Sequence, residues 1–109
     1  MKILILCFCA LVSQLNAQEK PVVHLQPHRD SVDAKFGGSL LELIDAPPVI
    51  WLPAPPPQLD AQGNQWSIDV KNLGPHTVTI NDKTNFSQRI MVGETLHINS
   101  NGKSYSRYW

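Results

Sequence analysis

Cysteine is almost missing from this 109-residue chain: the two present, Cys7 and Cys9, sit together near the amino terminus. If that segment is removed, a disulfide framework is excluded, so a small domain must hold itself together by packing or through a partner. Neither sign of charge dominates, with nine Lys and Arg against nine Asp and Glu. The basic residues Lys71, Lys83, Arg89, Lys103 and Arg107 stand singly, so neither a nucleic-acid footprint nor an anionic-lipid patch is indicated. No apolar run is long enough for a transmembrane helix. A Gly-x-Ser-x-Gly turn is absent, and the serines and paired carboxylates have no spacing that marks a nucleophile or an acid–base pair, so the chain is not expected to be an enzyme.

The amino terminus is the most specific signal. Met1-Lys2, the apolar stretch Ile3 to Val12, and Ser13-Gln14-Leu15-Asn16-Ala17 have the basic start, short apolar centre and small final residue of a secretory signal peptide. Residues 1–17 are expected to be a cleaved leader, and the remaining chain is expected to be secreted or periplasmic. Lipid attachment is not expected, because Leu6 and Phe8 precede the cysteines where a small residue is wanted.

Proline then divides the rest. Six of the nine prolines fall between Asp45 and Gln58, and Pro53-Ala54-Pro55-Pro56-Pro57 is expected to run as a polyproline II segment at the surface. Residues 18–57 read as an amino-terminal arm carrying that segment. Residues 58–109 read as an antiparallel β meander that completes one small domain.

The meander is written in alternation. Trp66, Ile68 and Val70 alternate with polar residues up to the Asn72-Leu73-Gly74-Pro75 turn, and Val78 and Ile80 lead to the turn at Asn81 to Asn85. Phe86, Gln88, Ile90 and Val92 share a face, as do Leu96 and Ile98. Asn101-Gly102 is the favoured pair for a tight hairpin with both residues at positive φ, and Ser104 to Trp109 closes the sheet. Upstream, Val22 to Leu25 and Val49 to Leu52 read as strands, the latter at a sheet edge. Ser39 to Ile44 fits either a short helix or a strand apolar on both faces.

Seven candidate strands predict an all-β chain, specifically a small antiparallel β-sandwich. The strand spacing over residues 66–98 is similar to that of immunoglobulin-like domains, without the cysteine pair of the antibody type. The expected function is binding of a protein or cell-envelope component, with a carbohydrate-binding module and a metal-binding or enzymatic exported protein as alternatives. Aromatic residues are the candidate contacts, since large flat side chains bury area at low entropic cost: Trp51, Tyr105, Tyr108 and Trp109. Alternation places Tyr105 on the face opposite Tyr108.

A metal reading rests on His24, His28, Asp30 and Asp33, but residues four apart do not share a face of an extended strand interrupted by Pro27, so no metal or other cofactor is expected. His76 and His97 read as solvated. Asn85-Phe86-Ser87 matches a glycosylation acceptor, which matters only in a eukaryotic secretory route.

Overall fold

A computed structural model describes residues 20–57 and 64–108 of the chain. The expected leader and Trp109 lie outside the described residues.

The chain is all-β, with almost no helix. The described residues form eight strands: β1 (Val22–Leu25), β2 (Leu40–Leu43), β3 (Val49–Trp51), β4 (Trp66–Asn72), β5 (Val78–Asn81), β6 (Ser87–Ile90), β7 (Thr95–Ser100) and β8 (Tyr105–Tyr108). A 3-10 turn, Ala34–Phe36, sits between β1 and β2. No described helix is long and apolar enough to cross a membrane.

Pairing departs from the expected antiparallel meander. One sheet has the order β1-β2-β4-β7-β8 and the other β3-β5-β6. Both are mixed: β1 with β2, β2 with β4 and β3 with β5 run parallel, whereas β4 with β7, β5 with β6 and β7 with β8 run antiparallel. After Asn72 the chain leaves the larger sheet for the smaller one, so β4 pairs with β7 rather than with its sequence neighbour β5. Alternation specifies which face a residue occupies but carries no information on which strand lies beside it.

Ser39 to Ile44 resolves as a strand. Leu41 and Leu43 are fully buried, whereas Leu40 is half-buried and Ile44 exposed, so the segment packs one face and shows the other. β4 obeys the expected period: Trp66, Ile68 and Val70 point inward with Leu96 and Ile98 of β7 beside them. Ile50, Val78, Ile80 and Ile90 of the smaller sheet join these residues in one apolar cluster. Each such side chain contributes about 1.5–3 kcal/mol when fully buried, which is how a cysteine-poor core of this size gains its stability.

The proline-rich segment is not a loose spacer. Leu52 and Pro56 are buried, Tyr105 donates its hydroxyl proton to the Pro53 carbonyl at 2.5 Å, and Ser100 donates to the Pro56 carbonyl at 2.6 Å. The segment therefore lies along the β7–β8 hairpin. That hairpin turns one residue later than expected: Asn101 N donates to Ser104 O, and of the central pair only Gly102 has positive φ, at +88°. Glycine at the first central position is the pattern of a type II′ turn. A Cβ at Gly102 would also stand 3.2 Å from Pro57 Cα.

Asn72 closes the opposite end. Its side chain is buried, and Nδ2 donates to both the His76 carbonyl (2.8 Å) and the Ile90 carbonyl (2.9 Å), while Oδ1 accepts from Gly74 N (2.9 Å). One amide thereby ties β4 of the larger sheet to β6 of the smaller and fixes the turn between β4 and β5. Asn72→Ala is expected to lower the unfolding free energy by about 2–4 kcal/mol, because two carbonyls and one amide lose their partner. Asn72→Asp is expected to be comparably damaging, since a carboxylate cannot donate. Urea titration checks both, and a loss under about 1 kcal/mol would contradict the clamp. By the same assay Gly102→Ala is expected to cost about 1–3 kcal/mol through its φ and the Pro57 contact.

Candidate binding surfaces

The three aromatic candidates among the described residues, Trp51, Tyr105 and Tyr108, do not form one platform. Tyr105 is a core residue at 7 % exposure: its ring meets Trp66 edge-on at 6.0 Å and Phe86 at 5.8 Å. Burial, with the charge of Asp82 added, raises its hydroxyl above the usual tyrosine range, so it stays a proton donor to Pro53. Trp51 is half-buried on the outer face of the smaller sheet, with Lys83 Nζ 5.4 Å from the ring centroid. Its backbone edge is not open either: Trp51 N donates to Asp30 O, and Val32 N donates to Trp51 O. Strand addition beside the prolines is thus blocked by residues 30–32. Tyr108 is exposed on the outer face of the larger sheet, opposite in direction to Tyr105 as the alternation predicts.

That outer face carries a polar array which the sequence reading missed by treating His97 as solvated. The pairing register aligns Leu40, Asp69, His97 and Tyr108 across β2, β4, β7 and β8. Asp69 Oδ1 accepts from His97 Nδ1 at 2.5 Å, Asp69 Oδ2 accepts from Lys20 Nζ at 2.8 Å, and Tyr108 stacks on the His97 ring with centroids 4.9 Å apart. Burial pushes the Asp69 carboxyl up, but the hydrogen bonds from Lys20 and His97 and their positive charges outweigh it, leaving the carboxyl below its ordinary range. A histidine oriented by a carboxylate is the base half of a catalytic triad. Ser67 and Ser106 sit in the next cross-strand row, about 6–7 Å along the strands. The arrangement acts as an ionic clamp that holds the start of β1 onto β4.

The metal candidates do not converge. His24 faces Glu42, with Nδ1 3.3 Å from its carboxylate, while Arg29 engages Asp33 at 2.6 Å. Among the described residues no three His, Cys, Asp or Glu side chains gather as a ligand set. His76 is likewise engaged, donating from Nε2 to the Ala46 carbonyl at 2.6 Å.

A different surface stands out at the end clamped by Asn72. Of the six large apolar residues well exposed among the described residues, four lie in three adjoining loops there: Ile44 (49 %), Leu73 (41 %), Met91 (61 %) and Val92 (53 %). Leu73 N donates to Leu43 O and Asp45 N to Gly74 O, which lays the loop after β2 alongside the loop after β4. Gly93 N donates to Asn72 O, and Val92 Cγ1 lies 3.2 Å from where a Gly74 Cβ would be, which adds the β6–β7 loop. Alternation puts Val92 on one face with Phe86, Gln88 and Ile90, but the strand ends at Ile90 and the turn at Gly93 (φ +89°) leaves Val92 exposed. The available signal was large aliphatics inside turn segments, where polar residues are usual.

Comparison with protein-family models, curated proteins and solved structures finds no match to this chain.

Asp82 organises the β5–β6 turn: Oδ1 accepts from Thr84 N and Phe86 N, and Oδ2 from the Thr84 hydroxyl. Burial raises this carboxyl, but those donors outweigh it and hold it, like Asp69, below the ordinary carboxylate range. A carboxyl depressed in the folded state contributes stability that is fully present above the unfolded value of about 3.9 and is lost as pH falls through the lower folded value. The melting temperature is expected to fall on acidification below about pH 4, and Asp82→Asn is expected to shrink that fall. Thermal unfolding followed from pH 6 down to pH 2 checks this, and a melting temperature indifferent to pH below about 4 would contradict it.

Proposed function

We propose that the protein is an exported, non-enzymatic β-sandwich that works by binding a protein or cell-envelope component at the loop end formed by Ile44, Leu73, Met91 and Val92. The observation that carries this reading is the concentration of exposed aliphatic side chains in three loops joined by the Leu73–Leu43, Asp45–Gly74 and Gly93–Asn72 backbone bonds. Isolated exposed apolar residues are normal on any protein; a contiguous group on a braced end is what interaction surfaces present. The sandwich form is supported by the single core shared between the inner faces of both sheets. Export is supported by the leader-like segment and by the confinement of cysteine to it.

A second reading, binding of carbohydrate, is favoured by one arrangement on the outer face of the larger sheet. Tyr108 stands exposed there, and the neighbouring row of Ser67, Asn99 and Ser106 offers hydroxyl and amide groups across three strands. Stacking on an aromatic ring flanked by hydrogen-bonding side chains suits a sugar.

The two readings separate by mutation. Purified protein is immobilised and exposed to an envelope extract of its source cells and, separately, to insoluble envelope polysaccharide. Leu73→Asp is expected to abolish retention of an envelope component while Tyr108→Ala leaves it intact. Loss on Tyr108→Ala alone, with retention on polysaccharide, would transfer the function to the sheet face.

A further inference from the structure

We infer that the outer face of the smaller sheet is a binding site for an acidic polysaccharide, one whose sugars carry carboxylates. The site is separate from the loop end and from Tyr108, and it goes beyond both readings above. Pairing register decides what this face presents. Val49, Thr79 and Arg89 form one cross-strand row over β3, β5 and β6, and Trp51, Asn81 and Ser87 form the next. The bridge between Ser31 and Trp51 adds a further hydroxyl to the second row. The alternate positions Ile50, Val78, Ile80 and Ile90 lie in the core, so these two rows face away from it.

The first observation is uncompensated charge. Lys83 and Arg89 stand singly in the sequence, but the fold brings both to this face, where they are exposed. Among the described residues neither meets a carboxylate. Neither row contains an acid. Asp82 in the adjoining turn is buried and accepts from Thr84 and Phe86, Asp33 is held by Arg29, and Glu94 beyond the end of β6 accepts from Met91 N. Asp30 precedes Ser31 and so alternates away from it. The outer face of the larger sheet is different, because Lys20 and His97 there already match Asp69. A face with two cations and no acid of its own is complementary to an anion.

The second observation is where Lys83 is held. Its φ is +72°, a left-handed value that glycine or asparagine adopts more readily. The turn nonetheless fixes a lysine there: Lys83 N donates to Asn81 Oδ1, and Asp82 ties down the residues that follow. The result is an ammonium 5.4 Å from the centroid of the Trp51 ring. An aromatic ring beside a cation offers stacking to a sugar and a counter-charge to the carboxylate it bears. Ser31, Thr79, Asn81 and Ser87 supply hydroxyl and amide groups along the same two rows. An acidic peptide would meet the cations but leave the ring and the hydroxyls unused.

Spacing sets the size of the ligand. Arg89 stands two strands and one row from Trp51, about 12 Å between Cα positions by ordinary sheet spacings. A single sugar ring does not span that distance, so the site suits a chain of sugars laid across the sheet.

The test is affinity electrophoresis of the full protein through gels containing alginate, a polymer of uronates, with dextran and polyglutamate as neutral-sugar and acidic-peptide arms. Alginate is expected to retard the wild type, with dextran and polyglutamate binding at least about tenfold more weakly. Arg89→Glu, outside the core, is expected to weaken alginate binding at least about tenfold, and Trp51→Ala comparably. Lys83→Glu replaces the Trp51 variant should that one fail to fold by circular dichroism. Lys103→Glu, the same charge change in the β7–β8 turn, is expected to alter binding less than about twofold.

No retardation by alginate would overturn the inference. Equal retardation by polyglutamate would reduce the face to an unselective cation patch, and equal retardation by dextran would remove the carboxylate from the recognition. Alginate binding untouched by Arg89→Glu, or weakened as much by Lys103→Glu, would put the contact elsewhere. Each of these outcomes rejects the site while leaving the loop-end reading as it stands.

Discussion

Asn72 spends its whole amide inside the protein, and each of its three bonds reaches a different piece of chain: the β4–β5 turn at Gly74, the segment beyond it at His76, and β6 at Ile90. The two sheets share an apolar core, but apolar contact is non-directional and would tolerate sliding of one sheet over the other. A buried amide that must satisfy two carbonyls and one N–H at fixed positions tolerates no such slide. The loops bearing Ile44, Leu73 and Val92 inherit their relative placement from it, because Asp45 bonds Gly74 and Gly93 bonds Asn72 itself.

The far end is fixed by different means. Tyr105 is shared between two tasks: its ring fills the space between Trp66 and Phe86, and its hydroxyl holds Pro53. Trp66 does the same in miniature, with its ring in the core and its indole N–H on the Ala34 carbonyl at 2.7 Å. Aromatic residues with a polar tip thus fasten the two irregular stretches, residues 34–36 and the prolines, to the sheet without disulfides. A ring that buries area cheaply serves a core as well as an interface, so residue type alone did not place Tyr105 in the core.

Strand positions were legible because a half-buried strand must alternate, and β4, β5, β7 and β8 all fall where the alternation puts them. The opposed facings of Tyr105 and Tyr108 follow from the same rule. Pairing was not legible: β1, β2 and β4 run parallel because distant segments meet across crossovers, and nothing local in Val22 to Leu25 encodes Leu40 to Leu43 as its neighbour. The site was hidden for a related reason. His97 looks solvated on its own strand, and only the register with Asp69 and Tyr108 gives it partners. Val92 continues the apolar period of β6 in sequence, yet the chain has already turned. A positive-φ glycine one residue later was the local hint that the period no longer described a strand.

The two faces of the molecule divide the electrostatic labour. On the outer face of the larger sheet, Lys20, Asp69 and His97 satisfy one another, so the charges there are consumed in holding the start of β1 rather than projected outward. At the loop end Asp45 and Glu94 are the charged residues of the three loops, and the amides of Asp45, Leu73, Gly74, Met91, Gly93 and Glu94 have acceptors within the protein. Leu73 and Val92 could have been buried by a longer turn or replaced by polar residues at no cost to the core, because neither belongs to it. Core packing therefore does not account for their exposure, and a braced end that presents them loses little freedom on contact with a partner, which is the condition the proposed binding needs.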